Sequence, residues 1–160
     1  MASETTVSSR VRMDYNPDNS FGLSRFVEAQ DPVYDDVLSE LRSGRKTSHW
    51  MWFVFPQLAG LGISETSRFY AIKDIAEARA YLQHPILGPR LTECAEALLP
   101  IRGRSAHDIF GSPDDMKLKS CMTLFAHISS SESVFVKVLD HYYGGERDRK
   151  TLKRLDEQKS

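Results

Sequence analysis

Arg45-Lys46-Thr47-Ser48-His49-Trp50-Met51-Trp52-Phe53-Val54-Phe55-Pro56-Gln57 is the stretch on which the fold assignment turns. It holds both tryptophans of the chain, one of its five histidines and two cations. Trp, Phe and Val favour a strand, whereas Thr47 or Ser48 can cap a helix, and Pro56 closes the segment in either case. Trp50 to Gln57 is nearly all apolar, so periodicity does not discriminate. The remainder of the chain decides, because no second strand pattern is present to pair with this one. A lone strand would leave its N–H and C=O groups unpaired. The stretch therefore reads as a buried helical turn and the fold as all-α.

Working outward, the N-terminal side is polar and aperiodic over residues 1–19, which predicts a disordered tail. Asn19 or Ser20 can cap a short helix bearing Leu23, Phe26 and Val27. Asp31-Pro32 predicts a helix start, with Val33, Val37, Leu38 and Leu41 on one face and Gly44 as its stop. On the C-terminal side, Gly60 and Gly62 make a loop, Ser64 opens a helix through Tyr70, and Asp74 caps another. His84-Pro85 and Gly88-Pro89 punctuate. Leu91, Cys94, Ala95, Leu98 and Leu99 form an apolar stripe that Pro100 ends. Ser105 to Asp108 resembles a capping box, and Ser112-Pro113-Asp114-Asp115 begins a long helix with Leu118, Cys121, Met122 and Phe125 on one side. Ser129 to Glu132 reads as a further box ahead of Phe135, Val138, Leu139, Tyr142 and Tyr143. Gly144-Gly145 ends that helix, and Asp148 caps the last, which carries Leu152 and Leu155. The expectation is a compact single domain over residues 20–157, an array of about seven or eight short helices with no significant sheet.

Composition narrows the function classes. The chain has 160 residues, 41% apolar and 27% charged, enough for one sizeable core. A net charge of −1 argues against general nucleic-acid binding, which needs a strong basic excess. Cys94 and Cys121 sit in apolar patterns and read as buried thiols. The histidines lack the i, i+4 spacing of a zinc site, so no metal and no cofactor is expected. No apolar run approaches the roughly 20 residues of a membrane span, and residues 1–12 contain no signal-peptide core. A cytoplasmic location is the default expectation.

Several residues have chemistry worth weighing. Trp50 and Trp52 are two apart and cannot share a helical face. Either both are core anchors, or one faces a cleft and stacks on a flat ligand such as a nucleobase. His49 is a structural histidine or an acid/base group. Gln57 clamps backbone or reads a ligand edge. Arg45 and Lys46, before a possible helix start, suit a phosphate or carboxylate, or are simply a solvated basic turn. Gly44 to Ser48 is a poor match to a P-loop and excludes ATP hydrolysis by that route. Asp114 and Asp115 fit a helical first turn on electrostatic grounds alone, and a carboxylate pair there can also serve acid/base work or hold a metal, although no further ligands are spaced for either role. Lys117 or Lys119 can point inward as its counter-charge.

Longer strings add a resemblance. Phe26-Val27-Glu28-Ala29-Gln30, Lys46 to Gln57, Gly60-Leu61-Gly62, Tyr70-Ala71-Ile72, His84 to Gly88, Ile109-Phe110-Gly111, Asp114 to Lys119 and Met122 to Phe125 resemble the domain of unknown function 1810 family, from about Leu23 to Leu155. That resemblance implies a small, mainly helical protein and supplies no activity. Gly22-Leu23-Ser24-Arg25-Phe26 with Glu28 and Gln30 is more distantly similar to the NADAR family, which handles ADP-ribose-type N-glycosidic bonds. Arg25 and Glu28-Ala29 depart from that family's Asn and Glu-His.

Two functional readings follow. In the first, a nucleotide- or ADP-ribose-like ligand is bound, with Arg45 and Lys46 on its phosphates, Trp50 or Trp52 on its ring, Gln57 on an edge and Lys117 as a counter-charge. A hydrolase version would act on an N-glycosidic bond, with Glu28 or Asp114 as the carboxylate and His49 as the fallback acid/base. In the second, the chain is a non-catalytic protein-interaction module with no small-molecule substrate.

Overall fold

The computed structural model describes residues 21–158, so the expected tail and the Asn19 or Ser20 cap lie outside the described residues. Within that range the chain forms ten helices and no strand. They are α1 (Ser24–Gln30), α2 (Tyr34–Arg42), α3 (Met51–Val54), α4 (Glu65–Phe69), α5 (Ile75–Gln83), α6 (Leu87–Glu96), α7 (Ala106–Phe110), α8 (Asp114–His127), α9 (Val134–Tyr143) and α10 (Arg149–Gln158). The count exceeds the expected seven or eight. The excess comes from counting α3, α4 and α7, single turns of four or five residues each, as separate helices.

α8 is the axis of the array. Its residues from Leu118 to Ala126 are all buried, Lys119, Ser120 and Thr123 included. A helix buried all round must be packed on every side, and α5, α7, α9 and α10 all contact it. The expected one-sided stripe of Leu118, Cys121, Met122 and Phe125 is thus part of a fully enclosed segment. Thr123 Oγ1 donates to the Lys119 carbonyl at 2.8 Å and accepts the Asp148 N–H at 2.9 Å, which ties the start of α10 to the middle of α8. Nine of the ten helices, all but α4, contribute to one buried apolar cluster.

The decisive stretch is a helical turn, α3, with Met51 and Val54 buried. The chain then extends past Pro56. The Ile72 N–H donates to the Gln57 carbonyl at 2.9 Å and the Ala59 N–H to the Ile72 carbonyl at 2.7 Å, an isolated parallel bridge between Leu58 and Ile72. Arg25 holds the far side of this bridge. It donates to the carbonyls of Phe69 and Ala71 at 2.6 and 2.8 Å and pairs with the fully buried Glu77 at 3.0 Å.

Helix-start signals are met at Ser64, Asp74, Ser105 and Asp148, whose side chains accept N–H groups of the following turn. Four expectations need correction. Asp31-Pro32 does not begin a helix: Asp31 ends α1, donating its N–H to Val27, and α2 follows Val33 without a side-chain cap. Gly88-Pro89 does not punctuate but lies in the first turn of α6, where proline's missing N–H has no partner to lose. The cap of α9 is Ser133, not the box at Ser129 to Glu132. Neither Thr47 nor Ser48 caps α3, whose N-cap position is Trp50 and whose first turn has no side-chain cap. Among the described residues no helix is long and apolar enough to cross a membrane.

Candidate functional site

The basic turn before α3 is organised by Glu40 on α2. Its Oε1 accepts the Thr47 N–H at 2.8 Å, the Ser48 N–H at 3.0 Å and the Trp50 indole N–H at 2.9 Å, and its Oε2 accepts the Ser48 hydroxyl at 2.5 Å. Partial burial pushes this carboxyl up, but the four hydrogen bonds together outweigh it and hold the group down at about 2. Trp50 is 1% exposed and packs against Phe55 and Phe110. It is the core tryptophan of the pair.

Lys46 leaves this turn toward α8. Its ammonium lies 2.9 Å from Asp114 Oδ2, donates to the Ser48 carbonyl at 2.6 Å and sits 5.0 Å from the Trp50 ring. Lys117, one turn further along α8, reaches Asp114 Oδ1 at 3.3 Å. Asp114 therefore bridges two ammonium groups. The Lys117 ammonium also sits 3.7 Å over the ring of Trp52, which lies on the other side of α3 from Trp50.

Trp52 lies on the wall between two clefts. The larger, about 610 Å³, runs between the 57–62 loop, the first half of α8 and residues 146–150. Five cations line it (Lys117, Lys119, Arg147, Arg149 and Lys150) against two carboxylates, Glu146 and Asp148. The smaller, about 140 Å³, lies toward Tyr70, Arg68 and Lys73 and shares Trp52, Gln57, Leu61 and Gly62. A chain of net charge −1 thus concentrates positive charge around one aromatic wall. The cleft lining sets positive charge beside a flat apolar face. Among the described residues no cluster of metal-ligating side chains occurs.

The candidate residues divide accordingly. Trp52, Gln57 and Lys117 converge on the clefts. Arg45 and His49 are exposed and line neither, and Glu28 is exposed on α1, also outside them. Lys46 is held by Asp114, which it shares with Lys117, and Trp50 is core. The residues that sequence reasoning missed are Glu40 and the run Glu146 to Lys150. The signal for the latter was a charge-dense segment after Gly144-Gly145, which by itself reads as a solvated turn. Lys119, considered as a counter-charge for Asp114, instead meets Glu146 at 2.6 Å.

Similar proteins share the architecture without adding an activity. No curated protein matches the chain. The crystal structure of the conserved hypothetical protein Rv1873 from Mycobacterium tuberculosis is 55% identical, with a TM-score of 0.84 over 86% of this chain and 98% of that one. The model for "Protein of unknown function (DUF1810)" matches residues 20–155 and so spans α1 to α10, both clefts and the aromatic wall between them. With nearly the whole fold inside that match, the chain belongs to the DUF1810 family.

Proposed function

We propose that this protein binds a nucleotide-like anion in the larger cleft, its ring against Trp52 and its phosphates toward Lys117 and the Arg147–Lys150 run. One observation carries the reading: a half-buried tryptophan with an ammonium over its face lines a cleft with five cations and two carboxylates. Gln57, in the same wall, supplies a donor and an acceptor for a base edge. Arg45 and Lys46 have no part in this version of the site. If the ligand is also cleaved at an N-glycosidic bond, the cleft's own carboxylates, Glu146 and Asp148, are the groups at hand. A protein-docking reading is favoured by the exposure of Ile63 and Phe69, 88% and 58%, beside the clefts.

The test is a thermal-shift titration with ADP-ribose, NAD, AMP and phosphate, on the wild type, Trp52→Ala and Lys117→Met. A ligand that binds only the folded state adds about 2.7 kcal/mol at 100 times its dissociation constant. A rise in midpoint with one nucleotide, lost in folded Trp52→Ala, is the expected result. No rise with any of the four refutes it and leaves the docking reading.

A further inference from the structure

Of the cations lining the larger cleft, Lys119 is the one that the fold buries, at 9% exposed. It sits inside the fully enclosed part of α8, so its backbone has no freedom to carry the charge to water. An ammonium in such a position requires an anionic partner, because desolvation penalises an unpaired charge heavily. The partner is Glu146, at 2.6 Å, and the pair is lopsided: the Glu146 side chain is 65% exposed. Glu146 follows Gly144 and Gly145, with φ of 62° and 83°, in the turn between α9 and α10. A structural pair in an interior would hold both ends; here only the cation is held, and the carboxylate reaches in from a surface turn. Both residues line the cleft.

We infer that Lys119 anchors a phosphate-class subsite of this cleft, and that the Glu146 carboxylate occupies the subsite until an incoming phosphate displaces it. The inference rests on the proposal that the cleft takes an anionic ligand. Phosphate is favoured over a single carboxylate because Lys117, Arg147 and Arg149 line the same cleft, and two of these are guanidinium groups suited to bidentate oxyanion contacts. The free protein then splits between a capped and an open form, and apparent affinity is reduced by the open fraction.

The experiment is a calorimetric double-mutant cycle with pyrophosphate and ADP-ribose as probes, on wild type, Glu146→Gln, Lys119→Met and the double variant. With an open fraction of about a tenth, Glu146→Gln should bind about tenfold more tightly. Lys119→Met should lose binding, and the gain should vanish in its background. A gain that persists undiminished in the Lys119→Met background overturns the inference, because it reports only the general loss of a negative charge. No gain in Glu146→Gln, with wild-type binding intact, overturns the cap and leaves the cleft proposal standing. Failure of every variant to bind either probe overturns both. An independent readout needs no Lys119 variant: in wild type, the carboxyl carbon resonance of Glu146 should shift toward that of a free carboxylate on saturation with pyrophosphate. A binding curve with that resonance unmoved is equally fatal to the cap.

Discussion

Replacing Glu40 by alanine tests whether the turn leading into α3 is held from α2. The change removes the acceptor for Thr47, Ser48 and Trp50 together. Water can replace it at the exposed Thr47 and Ser48, but not easily at Trp50, which is 1% exposed. An unsatisfied buried donor costs about 1–3 kcal/mol, and loosening the turn adds to that, giving about 3 kcal/mol for Glu40→Ala. Glu40→Gln keeps one oxygen for the three N–H donors but loses the charge and the acceptor for the Ser48 hydroxyl, so about 1–2 kcal/mol is expected. The pH dependence has a definite sign. The folded carboxyl lies at about 2 against an ordinary 4.5, so its stabilisation is complete above 4.5 and disappears as pH falls from 4.5 toward 2. That separation corresponds to about 3 kcal/mol at full weight, and solvent screening reduces it to about 1–2. Urea unfolding followed by tryptophan fluorescence, at pH 7 and at steps from 5 to 2.5, measures both quantities. The gap between wild type and Glu40→Gln should close across that window. A Glu40→Ala variant within about 0.5 kcal/mol of wild type, or a gap indifferent to pH, would refute the reasoning.

Two further outcomes test the packing. Burial pushes the Cys94 thiol up to about 12 and the Cys121 thiol well above its ordinary value, so neither should react with a disulfide reagent at pH 8 until denaturant exposes both; rapid labelling of the native protein would contradict their burial. A Cβ at Gly88 would overlap the backbone carbonyl of Leu82 where α5 meets α6. Since backbone must move, Gly88→Ala should cost about 1–3 kcal/mol, a fall in melting midpoint of several degrees; an unchanged midpoint would show that the two helices are not in that contact.

The helical class, the caps at Ser64, Asp74, Ser105 and Asp148, the glycine stops at Gly44 and Gly144, and the burial of both cysteines follow from local rules. Hydrogen bonds within a turn and apolar periodicity depend on residues at most a few places apart, and the chain spells those out. The short turns α3, α4 and α7 are legible through their boundaries and not through an apolar stripe. At Asp31-Pro32 the local rule misled: Asp31 ends α1, its N–H donating to the Val27 carbonyl, and its carboxylate meets Arg90, 2.9 Å away and 59 positions later. The proposed site was legible only in part. Trp52, Gln57 and Lys117 were marked by residue type, but type cannot say which tryptophan of an adjacent pair is core. That was decided by Glu40, which takes the Trp50 indole inward, and by Lys117, which meets Trp52 on the outside. The same holds for charge. Lys46 and Asp114 looked available because sequence shows a charge but not its partner, and Arg45 because sequence does not show which way a charge faces. Lys119 was marked as an inward counter-charge with no partner assigned, and the Glu146–Lys150 run looked like ordinary surface until α8 and the turn before α10 were brought onto one cleft. Propensity acts between neighbours in the chain, whereas partnership and desolvation act between neighbours in space, and these the tertiary structure alone assigns.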